Sequence, residues 1–152
     1  MTPYTNILLA ADLVERDDHP VSQKAVALAK ASNAKLSVIH VVEQPYYYGI
    51  PYENPSLDIW MQEMEQTVKG EFEKLAESLS IPPDQRHFIN GQAKIKILEI
   101  AKKIKADLII LGSHGRHGIG LLLMGSTASA VLHESQCDVL AVRVVHQPPK
   151  KH

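Results

Sequence analysis

The sequence predicts one α/β domain: an open, five-stranded, mostly parallel sheet with helices on both faces, Rossmann-like, in strand order 3-2-1-4-5. Three observations carry this expectation. Five short apolar runs alternate with stretches of helical periodicity. Most of the runs are rich in Val, Ile or Leu, as strands covered on both faces must be. A chain of 152 residues with 45% apolar composition supplies one well-buried core. The succession βαβαβαβαβ is satisfied by parallel strands joined through right-handed crossovers.

The strands are expected at 5–11 (TNILLAA), 35–42 (KLSVIHVV), 86–89 (RHFI), 107–112 (DLIILG) and 138–145 (DVLAVRVV). Pro20 suits the first turn of the first helix, whose apolar stripe is Val21, Ala25, Leu28 and Ala29. From Leu57 to Leu79 the apolar positions Trp60, Met64, Val68, Phe72, Leu75 and Leu79 recur every three or four residues. They predict a long amphipathic helix stopped by Pro82 and Pro83. A third helix follows Gly91, with Ile97, Leu98, Ala101 and Ile104 as its buried stripe, and a fourth begins at Gly125 and Ser126 and ends near Gln136. The domain is expected to span residues 1–145, leaving 146–152 (HQPPKKH) as a flexible tail whose prolines end strand pairing.

Composition excludes some function classes. Sixteen basic and seventeen acidic side chains give a formal charge of −1, so no overall attraction to nucleic acid or anionic membranes is built in. The amino-terminal apolar run has no Lys or Arg before Arg16 and is too short for a signal peptide or a membrane span. The single cysteine, Cys137, forms no internal disulfide and suits a cytoplasmic location, most simply as a small buried thiol.

The chemistry concentrates in residues 112–128, GSHGRHGIGLLLMGSTA. In an open α/β sheet, ligands bind beyond the carboxyl ends of the strands where strand order reverses. The first strand runs out at Ala10, Ala11 and Asp12, and the fourth at Gly112; if these strands are neighbours, both ends line one crevice. Neither the Walker spacing with its Lys nor a G-x-G-x-x-G is present. Gly112 and Gly115 let bare main chain approach a ligand. The amides of Ser126 and Thr127 lie at the positive end of the fourth helix, which favours an anion such as a polyphosphate. Taken singly, Ser126 is as well read as an N-cap and the glycines as turns; it is their combination that points to phosphate.

Gly112, two residues, Gly115, nine residues, then Gly125 and Ser126 match the G-x2-G-x9-G-[ST] pattern, and in this the chain resembles the ATP-binding branch of the universal stress protein family. The resemblance covers nearly the whole chain: NILLAADL is similar to the family's opening strand with its terminal Asp, AKLSVIHVVE to its second strand, and ADLIILGSHGRHG to its fourth strand and loop. The resemblance implies ATP, or ADP or AMP, with Mg2+ arriving on the nucleotide. Asp12 and the backbone around Ala11 and Val41 would meet the adenosine, while Gly112, Gly115, Gly125, Ser126 and Thr127 would hold ribose and phosphates. It also implies a homodimer formed by antiparallel pairing of strand 138–145. The first loop departs from the family's Asp-x-Ser start, reading Asp12-Leu13-Val14.

Other residues carry two readings. Arg116 can reach a γ-phosphate as a charge-assisted donor or stay solvated beside His114 and His117. Those histidines lack a Cys or carboxylate neighbour at ligand spacing, so no structural metal site is expected. Tyr46, Tyr47, Tyr48 and Tyr52 either close over an adenine, pack on a partner subunit, or sit in a plain surface loop with three prolines. The leading expectation is a nucleotide-binding regulatory protein whose dimer or partner contacts follow occupancy, at most a slow ATPase. An ATP-using enzyme would need charge neutralisation and a positioned base, and the loop offers no Lys. Nor does the first turn supply the S-G-G-x-D-S of adenylating enzymes. A receiver domain would need an acidic pair where Asp12 stands alone; an interaction domain with an empty pocket is the remaining alternative.

Overall fold

Strands β1 (Asn6–Ala10), β2 (Lys35–Val42), β3 (Arg86–Asn90), β4 (Leu108–Gly112) and β5 (Asp138–Val142) form one sheet in the order β3-β2-β1-β4-β5, with every neighbouring pair parallel. The structure is a computed structural model that describes residues 3–13, 19–43, 55–113 and 125–143. Helices α1 (His19–Ser32), α2 (Pro55–Ser78), α3 (Ala93–Ile104) and α4 (Ser126–Glu134) connect the strands, with a 3-10 turn at Pro83–Gln85. This is the expected topology, and the strand bounds agree with the sequence reading to within one residue except at the end of β5, which stops at Val142, short of the expected 145. Residues 144 and 145 of the last expected strand lie outside the described residues, as do the tail and the tyrosines at 46, 47, 48 and 52.

The period-two geometry of a strand sends alternate side chains to opposite faces, so a sheet covered on both sides has two cores. Ile7, Leu9, Val38, Leu108 and Ile110 pack under α1 and α2, with Val21, Ala25, Phe72 and Ala76. Leu8, Ile39, Ile109 and Leu111 pack under α3 and α4, with Ile97, Ile100, Ala101 and Val131. The three central residues of β1 are fully buried, as are Ile109 and Ile110 of β4.

Helix α2 departs from the expected stripe. Phe72 and Ala76 are fully buried, yet Trp60 and Met64 are 50% and 48% exposed. The reason is geometric: a helix turns 100° per residue, so each step of four advances about 40° around the axis, and three successive steps from Phe72 to Trp60 leave the core face. The half-buried positions Val68, Met61 and Leu57 follow the core line instead. The carboxyl half is further held by Arg86, which donates from Nε to the Ile81 carbonyl (2.8 Å) and pairs with Glu73 (2.6 Å).

The amino ends of β1 and β4 are clipped together by Asp107. Its carboxylate accepts from the amides of Thr5 (2.7 Å) and Asn6 (3.0 Å) and from the Thr5 hydroxyl (2.9 Å). Burial pushes this carboxyl up, but the hydrogen bonds outweigh it and hold the group below its ordinary value of 3.8. A lowered folded-state value means stabilisation that is complete above the unfolded carboxyl's value and disappears as pH falls through the folded one. Wild-type protein is therefore expected to lose stability to urea as the pH is lowered from about 5. Asp107→Asn should give a lower stability at neutral pH and a shallower slope in that acid range; parallel slopes for the two proteins would contradict the clip.

Candidate functional site

Strand order reverses between β1 and β4: the chain builds β2 and β3 outward on one side of β1, then returns to lay down β4 and β5 on the other. The carboxyl ends of β1 and β4 are therefore neighbours at the point of reversal, the place where such sheets bind ligands.

The β1 side is rigidly set. The Ala11 amide donates to the Ile39 carbonyl (2.9 Å), prolonging the pairing with β2. The Ala11 carbonyl lies 2.8 Å from Nδ1 of His40; a carbonyl only accepts, so Nδ1 is the nitrogen that donates. His40 is buried and stacks on Phe88 with ring centroids 5.9 Å apart, and Phe88 leans on Phe72 at 5.4 Å. An aromatic column thus runs from the core of α2 to the Ala11 carbonyl just beyond β1, the peptide that leads into half-buried Asp12. Val41, half-buried at the end of β2, packs with the core on the α3 and α4 side.

The β4 side brings the strand exit and a helix tip together. The Ser113 amide donates to the Val142 carbonyl (2.9 Å), and the Ser113 carbonyl accepts from the Gly125 amide (2.8 Å). Residues 114–124, whatever their path, therefore begin and end at one hydrogen bond. Gly125 is the N-cap of α4, with φ −57° and ψ 154°, and no side chain caps the helix. Ser126 occupies the first helical position rather than the cap, so the plain N-cap reading of that residue does not apply. The first-turn amides of Ser126 and Thr127 are left at the positive end of the helix dipole. The Ser113 hydroxyl oxygen is buried and has no partner among the described residues.

A second helix tip on the same edge of the sheet makes the contrast. At α3, Oε1 of Glu43 accepts from the Ala93 amide at 2.7 Å, so this positive end already carries an anion from the chain itself. The adjoining turn passes through Gly91 at φ +146°, where a Cβ would come within 2.8 Å of the Lys96 side chain. Of the two tips, only that of α4 presents first-turn amides with no carboxylate or hydroxyl from the described residues upon them.

Seven of the nine residues expected at the site, Ala11, Asp12, Val41, Gly112, Gly125, Ser126 and Thr127, lie at this carboxyl edge. Gly115 and Arg116 lie outside the described residues, together with His114, His117 and Leu121 to Met124. Sequence reasoning missed His40 and Glu43: one reads as an interruption in an apolar strand and the other as the start of a loop, and only the register that aligns Ala10 with Ile39 places the His40 ring beneath Ala11. Among the described residues, no group of three or more His, Cys, Asp or Glu side chains is placed to hold a metal ion. No helix among them is long and apolar enough to cross a membrane.

Comparison with known proteins places this geometry in a family. Residues 3–143 match the model of the universal stress protein family. Universal stress protein A homolog 2 of Coxiella burnetii is 44% identical over 145 residues, covering 95% of this chain and 98% of the relative. The solved structure of universal stress protein UspA from Lactobacillus plantarum superposes with a TM-score of 0.71 at 25% identity, over 94% of this chain and 100% of that one. A universal stress protein crystallised in complex with cAMP superposes with a TM-score of 0.64 at 22% identity, over 93% and 98% of the two chains.

Proposed function

The chain belongs to the universal stress protein family, and from that premise we propose that it is an ATP-binding regulatory protein whose dimer or partner contacts depend on nucleotide occupancy. One observation carries the reading: the hydrogen bond from Gly125 to Ser113 draws the exit of β4 and the uncapped tip of α4 to a single point on the crevice rim. Amides at a helix tip favour a phosphate chain, and the buried, unsatisfied Ser113 hydroxyl adds a polar group at the same place. A relative of the same fold binds an adenine nucleotide, cAMP. On this reading Gly112, Gly115, Gly125, Ser126 and Thr127 hold ribose and phosphates, and Ala11, Asp12 and Val41 face the adenosine. Arg116 adds a charge-assisted donor. Magnesium enters with the nucleotide and keeps most of its waters.

The test is to denature the purified protein and identify any released nucleotide by mass spectrometry, with Gly115→Val in parallel. Wild type should release stoichiometric adenine nucleotide and the variant much less, because a branched side chain blocks close approach of the main chain. Equal recovery from both would defeat the assignment. Turnover above a few per minute that disappears in Asp12→Asn or Arg116→Ala would favour an ATP-using enzyme instead.

Among the described residues strand β5 pairs only with β4, which makes it a sheet edge; its sequence DVLAV is apolar after the first residue and contains no proline. Such an edge is a pairing surface, and antiparallel pairing with the identical strand of a second copy satisfies it by two-fold symmetry. Light scattering or sedimentation at micromolar concentration should return the mass of a dimer, and a monomer's mass would overturn this arrangement.

A further inference from the structure

Strand β2 sends its main-chain hydrogen bonds alternately to its two neighbours, as a strand inside a parallel sheet does. The Lys35 amide donates to the Thr5 carbonyl and the Ile39 carbonyl accepts from the Ala11 amide, both at 2.9 Å, so the odd-numbered residues serve β1. The Val42 carbonyl accepts from the Gly91 amide at 3.0 Å, so the even-numbered residues serve the β3 side. One step further on the β1 side, the ladder would join the Val41 amide to the Ala11 carbonyl and the Leu13 amide to the Val41 carbonyl. Neither bond forms among the described residues.

A side chain takes the place of the missing rung. Ala11 is buried, and a buried carbonyl needs a donor. It receives one from Nδ1 of His40 at 2.8 Å. The ring is held in place by burial and by its stack on Phe88, the residue registered with it across β2 and β3. Pairing of β1 with β2 therefore ends at the Ala11 amide. The amide and carbonyl of half-buried Val41 are left facing the β1 side with no main-chain partner among the described residues.

We propose that His40 is a positioning residue of the nucleotide site, an inference that rests on the nucleotide-binding reading: by drawing the Ala11 carbonyl out of the ladder, its Nδ1–H keeps the Val41 amide and carbonyl open to the base. His40 acts through the main chain of Ala11 and Val41. A donor and an acceptor at fixed spacing on a strand end are the kind of convergent polar pair that orients a planar ligand in a largely apolar pocket. Without the Nδ1 donor, leaving the Ala11 carbonyl unsatisfied is costly, so the carbonyl turns to the Val41 amide and the closed rung withdraws that amide from the site.

The nucleotide-free wild type is measured first, by NMR. The His40 ring should carry its proton on Nδ1, seen as a one-bond coupling to that nitrogen. The Val41 amide should exchange with solvent about a hundredfold or more faster than the Ile39 amide, which faces β1 within the paired stretch. In His40→Leu, apolar and without a donor, exchange at Val41 should slow toward that of Ile39, whereas mere loss of packing would speed it. Mg-ATP should bind this variant about tenfold more weakly, the effect of one hydrogen bond. His40→Asn places an amide donor near the position of Nδ1 and should bind Mg-ATP within about threefold of wild type. A Val41 amide as protected as Ile39 in wild type overturns the proposal, as does affinity lost equally in both variants in step with their melting temperatures. Unaltered affinity in His40→Leu beside intact wild-type binding defeats this inference alone; a wild type that binds no Mg-ATP defeats the nucleotide reading and this inference with it. Should His40→Leu not fold, the wild-type exchange pattern and the affinity of His40→Asn decide: a protected Val41, or a tenfold loss in His40→Asn, overturns the proposal.

Discussion

Phe72→Ala is expected to cost about 3–5 kcal/mol of folding stability, the range for deleting a fully buried phenylalanine. Phe72 is fully buried, is the largest side chain that α2 delivers to the core, and meets Phe88 in a tilted ring contact, with centroids 5.4 Å and planes 47° apart. Its removal leaves a cavity bounded by sheet residues that are themselves fully buried and cannot collapse into it, Leu9 and Val38 among them. At about 2–4 °C per kcal/mol for a chain of this size, the melting temperature should fall by roughly 6–20 °C. Trp60→Ala, although it deletes a larger side chain, should change stability by no more than about 0.5 kcal/mol, because the indole is already half in water. Urea unfolding of the two variants side by side checks the ranking. A reversed order would mean that α2 packs along the stripe expected from the sequence rather than the one described here.

That contrast marks how far the sequence could be read. The central strands were legible because a sheet buried on both faces demands predominantly apolar runs, and NILLA, KLSVIHVV and LIILG can be little else. The helices were legible as periodic segments, but their buried faces were less so. Steps of four through Phe72, Val68, Met64 and Trp60 satisfy a local rule while drifting around the helix axis. Which line is buried is settled by where the sheet ends, and no local pattern records that. In α3 the same uncertainty left out Ile100, which is buried beside Ile97 and Ala101.

The site divides in the same way. Gly125 and Ser126 were legible because a helix start after a glycine-rich stretch has its own residue chemistry. His40 and Glu43 were not, because each acts on a backbone group brought near only by tertiary register: the Ala11 carbonyl in one case and the Ala93 amide in the other. The contribution of Glu43 is to occupy the tip of α3, whereas the tip of α4 carries no side-chain cap from the described residues.

The central claim is that main-chain amides at the start of α4 hold the phosphates, and Ser126→Pro tests it most directly. Proline is favoured at the first helical position, where its missing N–H breaks no helical hydrogen bond. Gly125, at φ −57° and ψ 154°, already has the extended conformation that a following proline requires. The fold should therefore survive with its melting temperature nearly unchanged in the absence of nucleotide. A lost hydrogen bond to a charged ligand is worth about 1.5–3 kcal/mol, so ATP should bind roughly ten- to a hundredfold more weakly. Ser126→Ala, which keeps the amide and removes only the hydroxyl, separates the two contributions and should lose less. Calorimetric titration of Mg-ATP into the three proteins is the decisive measurement: affinity falling in the proline variant well below the alanine variant supports the claim, and equal affinity in wild type and Ser126→Pro contradicts it.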